Sequence, residues 1–367
     1  MSNLIIGPNT EYRRKDRLGK GSFGYVYSCL DMSTKEVVAI KCIKQTKKEF
    51  TVLNEVKNAQ KCVSPFTVLI KDAFQYDMQD WIVMEYCKCG SLGDILKRHA
   101  KLSEEEIREI TSCCVLGLNE IHNHKIIHSD MKPDNIFLTE DGIAKIGDYG
   151  LSSQLNHTQS VREYAGTQLY VSPEAYEEKL GMPNDCWSLG MILIELAEGR
   201  HPYRDMNSTK LMITVRERDP PSLSREKWSA VFVDFVSKCL VKKANERWTT
   251  SQLMEHPFVK GSVERLRNEK SSPVLREMIR RVYGNIEEAS SSPSILASII
   301  DLNHDYSECG VIEAREKWQD IEAYGKNHDD HVIIRMVSKG MDPKAMRAQS
   351  RRPNDSESSR YVIQCKG

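Results

Sequence analysis

The stretch KIIHSDMKPDNIFL, residues 125–138, sets polar groups between two apolar runs. The apolar runs around Ile126 and Ile136–Leu138 have the composition of short strands. Between them stand four residues that are rarely buried without partners: Asp130, Lys132, Asp134 and Asn135. The pattern predicts two short strands that anchor a loop whose polar side chains carry chemistry.

Composition narrows the class of protein. The chain has 367 residues, 40% of them hydrophobic and 28% charged, which is typical of a globular protein. The 52 basic and 52 acidic residues balance, so we expect neither nucleic acid nor membrane as a partner. The 11 cysteines form no CxxC pair, and no apolar run approaches membrane-spanning length. We therefore expect a cytoplasmic protein, with a nuclear location as the alternative.

The chain changes character near residue 86. Before that point, short β-like runs are interrupted by one helical stretch, KEFTVLNEVKNAQK, which carries Glu55 on the face that includes Val52 and Ala59. After that point the patterns are helical. Ser103 and Glu106 form a capping-box signature, and WSLGMILIELAEG has the composition of a fully buried helix.

A glycine pattern, RLGKGSFGYVY, places Gly19, Gly21 and Gly24 in a GxGxxG arrangement. Dinucleotide-binding folds use the same pattern, but there it opens a helix, whereas YVYSCLD is strand-like. We therefore favour a glycine hairpin over phosphates, with an ordinary turn as the alternative. Lys41 ends the strand-like VVAIK; it is either a surface lysine or the partner of Glu55.

Taken together and in order, these motifs resemble the signature set of the eukaryotic protein kinases. The glycine hairpin, VAIK, a helix glutamate, HSDMKPDN, DYG and SPE follow one another within residues 12–260. The resemblance implies an α+β, bilobal protein-kinase fold, with a small sheet-rich N-lobe at 12–86 and a mainly helical C-lobe at 90–260. Residues 261–367 are then a C-terminal extension, partly helical and partly disordered.

The same resemblance implies a function, that of a serine/threonine protein kinase using ATP and Mg²⁺. Asp130 would be the catalytic base, and Lys132 would contact the transferred phosphate, as in serine/threonine kinases. Thr167 would bridge these two residues. Lys41, held by Glu55, would contact the α and β phosphates, while Asn135 and Asp148 would hold magnesium.

The adenine site is implied in the same way. Glu85 and Cys87 would offer backbone hydrogen bonds in the connection between the lobes, and Met84 would guard the back of the pocket. The ring would be sandwiched by four apolar residues: Leu18, Val26, Ala39 and Leu138.

Ser129 departs from the pattern. Many family members have an arginine at this position, which receives an activation-segment phosphate. Serine cannot do this, so we expect activity that depends less on phosphorylation of the segment 148–174, in which Thr158 and Ser160 are the candidate sites.

Two supporting contacts are also implied: Glu174 with Arg247, and Asp185 with the backbone of the catalytic loop. The motifs GSLGDIL and DCWSLGMILIELAEGRHPY resemble the sterile-type and NimA-related groups. Expected partners are proteins with serine or threonine acceptors, and a regulatory partner bound through the C-terminal extension. The alternative is a pseudokinase that binds nucleotide and partner proteins without catalysis.

Overall fold

The computed structural model describes residues 4–21, 24–44, 56, 59–149, 167–177 and 179–284. Its first part is an antiparallel sheet of six strands in the order β1-β2-β3-β4-β6-β5. The strands are β1 (Leu4–Ile6), β2 (Glu11–Gly21), β3 (Gly24–Asp31), β4 (Val37–Lys44), β5 (Ile70–Tyr76) and β6 (Gln79–Glu85). The predicted strands are confirmed; β1 is additional, because three residues are too few to show alternation.

Helices dominate the second part. They are α1 (Leu92–Lys97), α2 (Glu104–Asn123), α3 (Met182–Glu198), α4 (Ser208–Glu217), α5 (Ala230–Cys239), α6 (Thr250–Met254), α7 (Lys260–Glu269) and α8 (Pro273–Tyr283). A two-stranded sheet, β7 (Ile136–Leu138) and β8 (Ala144–Ile146), lies between α2 and α3 in the chain. This arrangement is the bilobal α+β kinase fold. Within the described residues, no helix is long and apolar enough to cross a membrane.

The sequence explains the main helices. Ser103 caps α2, its hydroxyl accepting from the Glu106 N–H while the Glu106 side chain accepts from the Ser103 N–H. This confirms the predicted capping box. Helix α3 is buried around most of its circumference, as its apolar composition predicts, and it is followed by a capping Gly199 with φ of 70°.

The loop that precedes β5 contacts the second part of the fold. The Phe66 carbonyl accepts a hydrogen bond from the Ile146 N–H at 2.9 Å, and the Val68 N–H donates to the Ile146 carbonyl at 2.8 Å. A Cβ on Gly117 of α2 would lie 2.5 Å from the Phe66 carbonyl oxygen. The loop that precedes β5 is thus fastened directly to β8 and α2.

One predicted element is wrong. Residues 126–132 belong to neither a strand nor a helix, although the Ile126–Ile127 run is strand-like in composition. The reason is local, because the next two backbone N–H groups, of His128 and Ser129, donate to the side chain of Asp185 instead of to a neighbouring strand. Only the second run, Ile136–Leu138, forms the expected strand.

Candidate active site

The catalytic loop brings three predicted residues together. Lys132 Nζ lies 2.7 Å from Asp130 Oδ2, and Asn135 Nδ2 donates to the same oxygen at 3.0 Å. Asn135 also donates to the Asp130 carbonyl at 2.8 Å. The other carboxylate oxygen, Asp130 Oδ1, accepts no hydrogen bond from the described residues. One oxygen is therefore fixed by two donors, whereas the other is buried and keeps its lone pairs unused among the described residues.

Lys41 reaches this site because of strand alternation. In β4, Val38, Ile40 and Cys42 face an apolar cluster on one side of the sheet, so Lys41 faces the other side. The ammonium group is buried, and its Nζ lies 2.9 Å from Asp148 Oδ1. Burial alone would raise the pKa of Asp148, but the Lys41 ammonium outweighs it, and the pKa is lowered. The carboxylate stays charged.

His128 connects the loop to Asp148. Its Nδ1 accepts from the Asp130 N–H at 3.2 Å, so Nε2 carries the proton and donates to the Gly147 carbonyl at 2.8 Å. The Gly147 N–H in turn donates to the Asn135 carbonyl at 2.9 Å. These bonds fix Asp130, Asn135 and Asp148 relative to one another.

Tyr149 is fully packed into the large core. Its hydroxyl donates to the Val68 carbonyl at 2.8 Å, which supplies the partner that a buried phenol requires. Burial raises the pKa of Tyr149 far above its ordinary value. Behind it, a cavity of about 10 Å³ borders Met84, room for at most one water.

The glycine hairpin forms as expected, with Gly21 opposite Gly24 across β2 and β3. A Cβ on Gly24 would lie 1.8 Å from the Cys42 carbonyl oxygen, so the sheet itself requires glycine there. A Cβ on Gly19 would meet nothing within 4 Å. Packing within the protein therefore does not explain why residue 19 is a glycine.

The connection between the lobes continues β6. The Glu85 N–H donates to the Leu69 carbonyl at 2.9 Å, which leaves its carbonyl, and not its N–H, for a ligand. The Glu85 side chain binds Lys145 at 2.7 Å, a contact that sequence reasoning missed. Burial raises the pKa of the Cys87 thiol to about 12, so Cys87 is uncharged at neutral pH.

The apolar residues predicted for the adenine site lie on four different strands. Leu18 and Val26 are half-buried in β2 and β3, and Ala39 and Leu138 are buried in β4 and β7. Two predicted site elements stay predictions: Glu55 and the side chain of Thr167 lie outside the described residues. The same holds for Thr158 and Ser160.

Both supporting contacts are confirmed. Arg247 binds Glu174 through two parallel bonds, the Nη2–Oε2 distance being 3.0 Å. Asp185 accepts hydrogen bonds from the N–H groups of His128 and Ser129, each at 2.9 Å. Sequence reasoning missed His122, whose Nε2 lies 2.8 Å from Asp185 Oδ2. The sequence feature that could have identified His122 is its position next to Ile121, on the apolar side of helix α2.

Comparison with known proteins agrees with this geometry. Residues 12–259 match the family model of the protein kinase domain. The chain is 35% identical over 312 residues to serine/threonine-protein kinase hippo of Drosophila melanogaster, covering 80% of this chain and 45% of hippo. It is 37% identical over 269 residues to serine/threonine-protein kinase pakH of Dictyostelium discoideum, covering 71% and 52%.

The chain spans about half the length of these curated relatives. The match to hippo agrees with the resemblance to the sterile-type kinases. The family model covers more than half of the chain and includes every predicted catalytic residue. With the fold, the catalytic loop and the Lys41–Asp148 pair in agreement, the chain belongs to the protein kinase family.

Proposed function

We propose that the chain is a serine/threonine protein kinase that transfers the γ-phosphoryl group of ATP to protein hydroxyls. The proposal rests on the different hydrogen bonding of the two carboxylate oxygens of Asp130. Lys132 and Asn135 hold Oδ2, while Oδ1 has no partner among the described residues. A base needs a free lone pair for the hydroxyl proton, and Oδ1, which is buried here, is the oxygen that keeps one.

Lys132 has a second role in the proposal. Its ammonium lies beside the Asp130 carboxylate, where it would offset the negative charge of the transferred phosphoryl group. Thr167 would fix the pair by hydrogen bonds to both residues. Lys41, which pairs with Asp148 and would also pair with Glu55, would orient the α and β phosphates.

The donor set of the loop suits magnesium. Asn135 uses its amide nitrogen on Asp130, so its oxygen is the atom left for a metal, and Asp148 adds a charged carboxylate. These are hard oxygen ligands of the kind Mg²⁺ binds together with phosphates. In the described part of the chain, no cluster of three His, Cys, Asp or Glu side chains forms a metal cage. Bound magnesium would neutralise phosphate charge.

The nucleotide would lie under the glycine hairpin. The open space at Gly19 leaves room for close approach of a phosphate, and Gly21 pairs with Gly24 across β2 and β3. Leu18, Val26, Ala39 and Leu138 would enclose adenine. Its polar edge would bind the Glu85 carbonyl and the Cys87 backbone.

The proposal extends to regulation and partners. Ser129 offers no cation to an activation-segment phosphate, so activity would depend little on such a phosphate. Substrates would be proteins with serine or threonine acceptors, and the C-terminal extension at 261–367 would bind a regulatory partner. The balanced charge supports a protein that binds neither nucleic acid nor membrane, and the scattered cysteines without a CxxC pair favour a cytoplasmic location.

Phosphate transfer from labelled ATP to a serine/threonine peptide library tests the proposal. Asp130→Asn should lower turnover about a hundredfold or more, because the amide cannot accept the proton. Asp77→Asn is the matched control, since Asp77 is an exposed turn residue with φ of 50° that asparagine also adopts. Binding of Mg–ADP by the wild type without any transfer would contradict the proposal and indicate a pseudokinase.

A further inference from the structure

Helix α8 lies beyond residue 259, where the matched kinase domain ends. Its apolar side is nevertheless buried in the large core through Leu275, Met278 and Ile279. On the adjoining side, Arg281 Nη2 lies 2.7 Å from Glu106 Oε1 at the start of α2. The helix is therefore an integral part of the folded body.

The first turn of α8 is fixed to the β7–β8 turn. The Ser272 N–H donates to the Asp141 carbonyl at 3.2 Å, and the Ser272 hydroxyl donates to Glu109 Oε2 at 2.7 Å. Gly142, with φ of 74°, faces the same spot, where a Cβ would lie 2.2 Å from the Ser272 carbonyl oxygen. The contact is close enough to exclude any side chain at Gly142.

Glu109 strengthens this anchor. The carboxylate is buried and also forms an ion pair with Arg265 of α7. Burial opposes its charge, but hydrogen bonds from Arg265, Ser272 and Ser262 outweigh it and lower the pKa of Glu109. The start of α8 is thus held to α2 by a charged, fully bonded group.

The last turn of α8 reaches the connection between the lobes. The Arg98 guanidinium lies 4.8 Å from the centre of the Tyr283 ring. The Tyr283 hydroxyl lies 3.5 Å from the position that a Cβ on Gly90 would take. The Gly90 carbonyl accepts a hydrogen bond at 2.9 Å from the N–H of Leu138, one of the residues predicted for the adenine site.

One helix therefore contacts both supports of β7, the turn that follows the strand and the residue that binds Leu138. Strand β7 has only three residues and one partner strand, so it needs such support. Glu85 and Cys87 lie a few residues before Gly90. We infer that α8 is a positioning element of the nucleotide site, in which Tyr283 holds Gly90 and Leu138 in the geometry that binds ATP.

This inference rests on the proposed nucleotide site, and binding of Mg–ADP to the full chain, measured by calorimetry, tests it. Tyr283→Ala should raise the dissociation constant roughly three- to tenfold, the range expected when a contact behind a site is lost. Tyr283→Phe keeps the ring against Arg98 but removes the hydroxyl near Gly90, so it should raise the dissociation constant in the same direction but by less. Arg280→Ala, an exposed change on the same helix, is the matched control.

Steady-state kinetics separates positioning from general damage. In Tyr283→Ala the KM for ATP should rise while the KM for peptide stays constant and kcat changes little. An unchanged dissociation constant in a folded Tyr283→Ala protein would overturn the inference, as would an equal rise in both KM values. Thermal unfolding checks the fold, and if this variant does not fold, Arg98→Ala replaces it with the same expectation.

The two proposals fail separately. A wild-type chain that binds Mg–ADP but transfers no phosphate contradicts the kinase proposal, while the binding constants of the variants still decide the role of α8. Normal transfer together with unchanged binding in Tyr283→Ala refutes the role of α8 alone.

Discussion

Asp185 Oδ1 lies 2.9 Å from the backbone nitrogen of Ser129, the residue just before the candidate base. Ser129 has φ of 64°, a left-handed conformation that is costly for residues with a side chain. The second oxygen of Asp185 accepts from the His128 N–H and from His122. A fully buried carboxylate at the start of α3 thus stabilises the turn that presents Asp130.

The Asp185→Asn variant should lose stability. Asparagine offers one acceptor oxygen to three donors and directs its own N–H groups at the rest, which leaves buried donors unsatisfied. We expect the free energy of unfolding to fall by about 2–3 kcal/mol. Urea denaturation measures this change.

Asp234→Asn is the control for that variant. Asp234 also binds a histidine, His256 at 3.0 Å, but its side chain is half exposed, so water replaces the lost contact. We expect a change of less than about 1 kcal/mol there. Equal losses in the two variants would contradict the supporting role of Asp185.

Replacing Thr158, Ser160 and Tyr164 together by alanine should leave most of the turnover intact. Ser129 cannot form the charge-assisted hydrogen bonds by which an arginine binds a phosphate. Turnover per active site, before and after phosphatase treatment, is the measurement. Ser129→Arg introduces an arginine that can bind such a phosphate, and it should make turnover sensitive to phosphatase treatment. Loss of nearly all turnover in the triple variant would refute the hypothesis.

Tyr149→Phe should destabilise the chain by about 1 kcal/mol, since it removes the buried hydrogen bond to the Val68 carbonyl. Equilibrium denaturation of this variant is compared with Tyr76→Phe, which removes a half-buried hydroxyl in β5. The ring contacts persist in both variants. If the two lose the same stability, the Tyr149–Val68 bond contributes nothing specific.

His201 should make stability depend on pH. Burial lowers its pKa to about 4, while an unfolded histidine titrates near 6.5. Between these values the unfolded state binds the extra proton, so stability falls as pH decreases from 6.5 towards 4, by up to about 3 kcal/mol. Unfolding free energies measured across this range give the slope.

His201→Asn isolates that effect. Asparagine retains an acceptor for the Tyr203 N–H, which His201 Nδ1 accepts at 3.1 Å, but it does not titrate. Its stability should therefore vary less between pH 6.5 and 4 than that of the wild type. Parallel pH profiles for the two proteins would show that other groups cause the acid sensitivity.

Local patterns were sufficient for much of the fold. The strand-like run VVAIKCIK predicted β4, and the capping box predicted the start of α2, because both depend on neighbours within a few residues. The Ile126–Ile127 run was wrongly predicted to be a strand for the opposite reason. Its backbone conformation is decided by Asp185, more than fifty residues away.

The sequence by itself determined the order of the motifs, the kinase family and the identities of Asp130, Asn135 and Asp148, since residue type and spacing carry that information. Only the tertiary structure decided which groups meet: Asp185 with His122, Glu85 with Lys145, and Tyr283 with Gly90. Such contacts join residues far apart in the chain, and their geometry depends on how whole helices pack. No local pattern encodes the distance between them.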